Sequence, residues 1–135
     1  MALRVGYKQL LAEANQRISN LKPEAVMARL SDPDVVIVDI RDVRELEREG
    51  RISGSFHAPR GMLEFWVDPE SPYFKPVFGE DKTFILHCAS GWRSALSSEL
   101  LSRMGLGKVH NLEGGFSGWK AAGGPVEPYS KETKP

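Results

Sequence analysis

Cysteine is almost missing: only Cys88 in the 135 residues carries a thiol. A lone thiol excludes an internal disulfide and a zinc site built on paired cysteines, leaving an inert buried residue or a reactive nucleophile. An excess of either charge is missing too, because 18 basic residues balance 18 acidic ones. The chain therefore shows no electrostatic footprint for nucleic acid or an anionic membrane, and neither is expected as a partner. No apolar run approaches the roughly 18 residues of a membrane span, and Met1-Ala2-Leu3-Arg4-Val5-Gly6-Tyr7-Lys8 offers no apolar signal core. A soluble, cytoplasmic protein is the expectation. His57 and His110 lie in no motif with metal-ligand spacing, and neither a metal nor a cofactor is expected. Repeats and low-complexity blocks are absent, and 41% hydrophobic content suffices for one compact core.

What is present alternates between helix and strand signals. Leu10, Leu11, Ala14 and Ile18 fall at helical spacing and predict an N-terminal helix over 6–18, with a short strand over 18–20. Residues 1–20 are read as a helical extension packed on the main domain, 21–124 as that domain and 125–135 as a loosely held tail. Pro23 and Glu24 open a helix predicted over 21–30. Val35-Val36-Ile37-Val38-Asp39-Ile40 is a β-branched run suited to a central parallel strand. A charged helix over 42–49 stops at Gly50, and one brief strand is predicted within 52–57. Residues 62–66 predict a helical turn. Prolines 69, 72 and 76 mark an ordered loop over 68–79, whose aromatics Tyr73, Phe74 and Phe78 call for burial. A last strand over 108–112 and a terminal helix over 113–120 complete the pattern, with Phe116 and Trp119 as core aromatics.

The thiol sits in the most informative stretch, His87-Cys88-Ala89-Ser90-Gly91-Trp92-Arg93-Ser94. Thr83-Phe84-Ile85-Leu86 before it reads as a buried strand, and Ala95, Leu96, Leu100 and Leu101 after it share a helix face. Cys88 therefore stands at a strand-to-helix turn. Unpaired N–H groups and the positive end of the helix dipole there favour an anion, whether a thiolate, a sulfur species or an oxyanion. Such surroundings ionise a thiol further than its ordinary pKa of about 8.5 allows. Alternating strands and helices imply an α/β fold with a parallel sheet covered on both faces. Sites in such sheets gather at the carboxyl ends of strands, where Asp39, Arg41 and Cys88 fall.

Four segments in this order resemble the single-domain rhodaneses, sulfurtransferases that carry a persulfide on one cysteine. They are Val38-Asp39-Ile40-Arg41 with Glu45 after it, Gly50-Arg51-Ile52-Ser53-Gly54-Ser55 leading to Pro59-Arg60-Gly61, Cys88-Ala89-Ser90-Gly91-Trp92-Arg93-Ser94, and Glu113-Gly114-Gly115-Phe116-Ser117-Gly118-Trp119. Together they cover roughly residues 21–119. The resemblance implies a five-stranded parallel sheet flanked by helices, with Cys88 as nucleophile and Asp39 and Arg41 orienting the turn. The N-terminal helix, Arg93 and the long segment over 62–79 are departures from the minimal pattern.

A rival comes from the same residues, because cysteine-dependent phosphatases and one class of arsenate reductases also place Arg and Ser after a His-Cys pair. In those families five residues separate Cys from Arg; here there are four, Ala89 to Trp92. Each residue contributes at most about 3.3–3.6 Å of reach, so the shorter loop suits a single terminal sulfur better than a tetrahedral oxyanion. The expected chemistry is two-step. Cys88 takes sulfur from a small anionic donor such as thiosulfate, and cyanide or a thiol, free or on a partner protein, takes it from the persulfide. N–H groups from Ala89 to Arg93 would hold the anionic sulfur, and Gly91 would allow the tight path. Arg93 draws in the donor or pins the loop, Ser94 caps the helix or donates its hydroxyl, and Trp92 shapes access. Arg60 lines the pocket mouth or packs and hydrogen-bonds near its own turn, and His87 stands behind the loop. A non-turnover module that carries sulfur received from a partner protein, or that only docks, is a third reading, and monomer and homodimer both stay open.

Overall fold

The computed structural model describes residues 2–130. Helix α1 (Tyr7–Arg17) stops at the extended Ile18 and runs straight into β1 (Ser19–Leu21). Pro23 occupies the first turn of α2 (Pro23–Met27), where its missing N–H costs nothing. The β-branched run forms β2 (Val35–Asp39). Asp42 accepts the Arg44 N–H to cap α3 (Val43–Glu49). Then come β3 (Arg51–Ile52), β4 (Phe56–His57), a 3-10 turn at Arg60–Met62 and α4 (Leu63–Val67). After a second 3-10 turn at Pro76–Gly79 the chain forms β5 (Thr83–His87), α5 (Trp92–Arg103), β6 (Val109–Leu112), α6 (Gly115–Ala121) and β7 (Val126–Glu127).

Five strands make one parallel sheet in the order β1-β6-β5-β2-β4. Period-two alternation divides its side chains between two cores. Val38, Ile40, Phe84 and Leu86 join Leu101 of α5 and Leu63 and Val67 of α4 on one face. Ile37 and Ile85 join Val26 of α2 and Phe116 and Trp119 of α6 on the other. The sheet is thus buried on both faces, which is why its central strands tolerate unbroken apolar runs. Register sets Asp39 beside His87 at the carboxyl end of β2 and β5, one residue before Cys88. Helix α1 packs against α5 with Ala14 buried, and β1 supplies an edge of the sheet beside β6.

The structure corrects the sequence reading in five places. The strand expected within 52–57 is two strands, because the chain turns at Gly54 with φ +78°; β4 joins the main sheet, and β3 pairs antiparallel with β7. The tail is not loose up to residue 130: Glu127 bonds Arg51 at 3.1 Å and Pro125 O accepts the Trp119 indole N–H at 3.0 Å, while 131–135 lie outside the described residues. α2 is shorter than 21–30, ending in turns before Pro33. In the 68–79 loop Phe78 is buried, but Tyr73 stands in solvent. Finally, α5 begins at Trp92, so two residues of the presumed loop are helical.

Candidate active site

The segment between β5 and α5 is a tight turn that ends at Gly91, at φ +107°, a conformation open mainly to glycine. Its inner surface holds Cys88, only 1% exposed. Gly91 donates its N–H to Cys88 Sγ at 3.1 Å, and the Ser94 hydroxyl donates at 3.4 Å. Ser94 does not cap α5: Gly91 holds the cap position without a side-chain bond, which leaves the hydroxyl for sulfur. Burial alone would raise the thiol pKa. The Ser94 hydroxyl and the N–H groups of Ser94, Gly91 and Ser90 outweigh burial and pull it below the ordinary value.

The loop carbonyls point the other way, into donors. Phe116 N–H bonds Cys88 O at 2.8 Å and Ser117 N–H bonds Ala89 O at 3.0 Å, both from the first turn of α6. Those N–H groups have no partner within their own helix, so the start of α6 satisfies itself on the loop. Gly115 makes this approach possible. Its φ is +60°, and a Cβ there would lie 2.7 Å from Ala89 C and O and from Cys88 O.

Beneath the loop lies a buried polar cluster. Arg41 and Asp39, 1% and 0% exposed, form a two-pronged pair with Nη2–Oδ2 at 2.8 Å and Nε–Oδ1 at 3.0 Å. Arg41 also donates to Gly50 O at 2.8 Å and lies 4.1 Å over the Phe116 ring. Burial would raise the Asp39 carboxyl, but the facing His87 and the Arg41 guanidinium hold it below its usual range. His87 is fully buried and its Nδ1 donates to Cys88 O at 3.1 Å, since a carbonyl only accepts. Burial pushes the His87 pKa down. His87 thus meets Cys88 through its backbone carbonyl, Asp39 faces His87 and pairs with Arg41, and none of the three makes a hydrogen bond to Sγ.

At the rim, Glu45 of α3 accepts from both Arg93 nitrogens, at 3.2 and 3.3 Å. Arg93 also feels the Cys88 charge; burial lowers its pKa, and Glu45 and Cys88 raise it further than burial lowers it. Trp92 is 57% exposed, with its ring 5.2 Å from that of Tyr7 in α1. Arg60 meets Trp92 and Arg93 across a shared groove. The sequence therefore placed Cys88, Ala89, Ser90, Gly91, Trp92, Arg93, Ser94, Asp39, Arg41, Arg60 and His87 in one region. It assigned no role to Glu45, Gly115 or Tyr7, and it read Phe116 as a core aromatic, where the structure places it. Glu45, Gly115 and Phe116 stood inside the matching segments, which was the signal available. Nothing local to Tyr7 marks it.

Residues 22–122 match the Rhodanese-like domain family. A thiosulfate sulfurtransferase of Glaesserella parasuis is 28% identical over 112 residues, covering 83% of this chain and 95% of that protein. A dual specificity phosphatase of Arabidopsis thaliana is 33% identical over 103 residues, covering 70% of this chain and 67% of that one. A solved structure from Rhodopseudomonas palustris, described as a protein of unknown function and possible tyrosine phosphatase, superposes with TM-score 0.91 at 52% identity, covering 94% of this chain and 98% of that one.

Proposed function

Since the chain belongs to the Rhodanese-like domain family, a family with sulfurtransferase members, we propose that it moves a sulfane sulfur from thiosulfate or a related donor, through a persulfide on Cys88, to cyanide or a thiol. The observation that carries this reading is the four-residue loop that sets the Gly91 N–H and the Ser94 hydroxyl on Sγ. The Cys88 thiolate attacks the outer sulfur of thiosulfate; the new S–S bond forms as the bond to the sulfite sulfur breaks, and sulfite leaves with the electron pair. The same N–H and hydroxyl donors that favour the thiolate then serve the anionic persulfide. The acceptor attacks the outer sulfur and releases Cys88 as thiolate. Because Sγ is almost enclosed, the donor enters with its terminal sulfur first. Arg93 attracts the donor's charge, Trp92 borders the way in, and Asp39, Arg41 and His87 position the turn. No helix among the described residues is long and apolar enough to cross a membrane, and a reducing, cytoplasmic setting suits a single free thiol. The partners this reading requires are a small anionic donor and a thiol acceptor, free or on a protein.

The phosphatase reading has a specific observation of its own, a cysteine followed by an arginine close enough to sense its charge, and two similar proteins whose descriptions mention phosphatase. Intact mass spectrometry separates the readings. The expected result is a gain of one sulfur atom after thiosulfate, its loss on adding cyanide, and no gain in Cys88→Ser. Turnover of an aryl phosphate that needs Cys88, without any sulfur gain, would replace sulfur transfer by the phosphatase reading. A sulfur gain that neither cyanide nor thiols remove would reduce the protein to a carrier.

A further inference from the structure

The β4 edge of the sheet carries a cavity that the cysteine chemistry does not use. It holds about 400 Å³, within the range of small-molecule sites, and shares no lining residue with the groove at Trp92 and Arg93. Three aromatic rings wall it: Phe56 of β4, Trp66 of α4 and Tyr129, two residues beyond β7. Phe56 and Trp66 meet edge to face at 6.3 Å. The Tyr129 ring meets that of His57 at 6.3 Å, and the Arg51 guanidinium lies 5.7 Å from its centre. Neighbours thus fix these rings before any ligand arrives, which lowers the ordering cost of binding. Charge in the cavity has one sign. Lys75 is exposed, with its Nζ 4.7 Å from the centre of the Trp66 ring, and its ammonium has no hydrogen bond or ion pair among the described residues. No carboxylate lines the walls, and Asp42, whose charge reaches His57, is paired with Arg44 at 2.9 Å.

We propose that this cavity is an accessory binding site for a flat aromatic carboxylate, separate from the cysteine loop. The Phe56, Trp66 and Tyr129 rings take the aromatic body by offset or edge packing, and the Lys75 ammonium takes the carboxylate. Charge complementarity selects the sign of the ligand. A cation would compete with Lys75 for the Trp66 face and be repelled by it. A phosphate ester carries more charge than one ammonium answers and is better held by arginine forks, which the cavity lacks. The occupant also rests one hydrogen bond from the support of the thiol. His57, in the cavity wall, donates its Nε2–H to Arg41 O at 2.7 Å, and Arg41 clamps Asp39.

The test titrates the full chain with 1-naphthoate, using 1-naphthalenemethanol and 1-naphthylmethylammonium as its neutral and cationic counterparts. Nitrogen–proton NMR follows the indole N–H signals of Trp66, Trp92 and Trp119, the chain's three tryptophans. Trp66→Phe assigns the first signal and keeps a ring in the wall. For a ligand of this size a Kd of about 1 mM is expected. 1-Naphthoate should move the Trp66 signal saturably, leave that of Trp92 in place, and bind about threefold to fivefold tighter than the neutral compound. Lys75→Gln changes an exposed side chain that makes no hydrogen bond, so the fold stays intact. It should abolish that preference without altering the affinity of the neutral compound, and Lys75→Arg should retain it. Equal affinity for all three charges, or a preference untouched by Lys75→Gln, overturns the proposal. So does a 1-naphthoate shift confined to Trp92, which would place the anion at the cysteine loop, and so does the absence of any Trp66 shift.

Discussion

Glu45 holds Arg93 across the rim of the cysteine loop with both carboxylate oxygens, at 3.2 and 3.3 Å, joining α3 to the first turn of α5. This fork fixes a guanidinium beside the thiol in one orientation. The side chain proposed to capture the donor is thus also tied to α3 as a brace, and the two roles separate by measurement. Arg93→Ala is expected to raise the thiosulfate KM about tenfold and to cost only about 0.5 kcal/mol of stability, the size of a partly exposed ion pair. Arg93→Lys keeps the charge without the fork and should fall between. Steady-state kinetics beside urea unfolding decides it. Unchanged KM with a large stability loss would leave Arg93 as a brace alone.

Ser94 carries the second prediction. Because Cys88 is the only thiol, ultraviolet thiolate absorbance against pH reports it alone. The wild-type step is expected below the ordinary thiol value of about 8.5, since hydrogen bonds from Ser94, Gly91 and Ser90 outweigh burial. Ser94→Ala removes the hydroxyl and leaves burial less opposed, so the step moves upward. The pH at which kcat/KM reaches its plateau should move with it. A step that stays in place would mean that backbone N–H groups alone stabilise the thiolate.

The buried cluster governs stability at acid pH. His87 is held below its ordinary pKa by burial, so below about pH 6.5 the unfolded chain binds a proton that the folded chain refuses. Stability is full above that value and falls as pH drops. Asp39, also depressed, adds a second loss below about pH 3.9, where the unfolded carboxyl protonates first. His110, lowered by burial and Arg29, contributes with the same sign as His87. Thermal melts from neutral pH to about pH 5 should show a falling Tm, and His87→Gln should flatten most of that slope. Asp39→Asn leaves Arg41 as an uncompensated buried charge and is expected to cost about 3–5 kcal/mol in urea unfolding.

The parts of this architecture that were legible in the sequence share a cause. β2 and β5 are buried on both faces, so their composition shows through as unbroken apolar runs, and Cys88 is placed by the switch from strand to helix. The four ordered segments, spread over most of the chain, carried the family and with it the five-stranded sheet. What stayed hidden was set by distant contacts. β3 and β7 are two residues each, too short for any periodicity, and they pair only because the chain returns after α6. Tyr7 meets Trp92 because α1 packs on α5, a relation no local pattern encodes. Ser94 looked equally suited to capping or donation until the helix start at Trp92 moved it inside α5, where its hydroxyl faces sulfur.

Gly115 offers the sharpest test of how the loop is held from behind. At φ +60° it lets the first turn of α6 press its N–H groups onto the carbonyls of Cys88 and Ala89. A methyl group there would sit 2.7 Å from three backbone atoms of the loop, which cannot swing aside as a flexible side chain would. Either α6 retreats and the two carbonyls lose their donors, or the loop itself shifts and moves the Gly91 N–H off sulfur. Gly115→Ala is therefore expected to lower kcat/KM at least about tenfold and stability by about 1–3 kcal/mol. Gly107, with nothing within 4 Å of a Cβ, gives the matched control, and Gly107→Ala should leave both quantities near wild type. Comparing the thiolate absorbance step of the two variants locates the damage. A step that rises in Gly115→Ala means that the loop has moved off the sulfur. A step that stays put while activity falls means that α6 has retreated and the loss lies outside the thiolate's own hydrogen bonds.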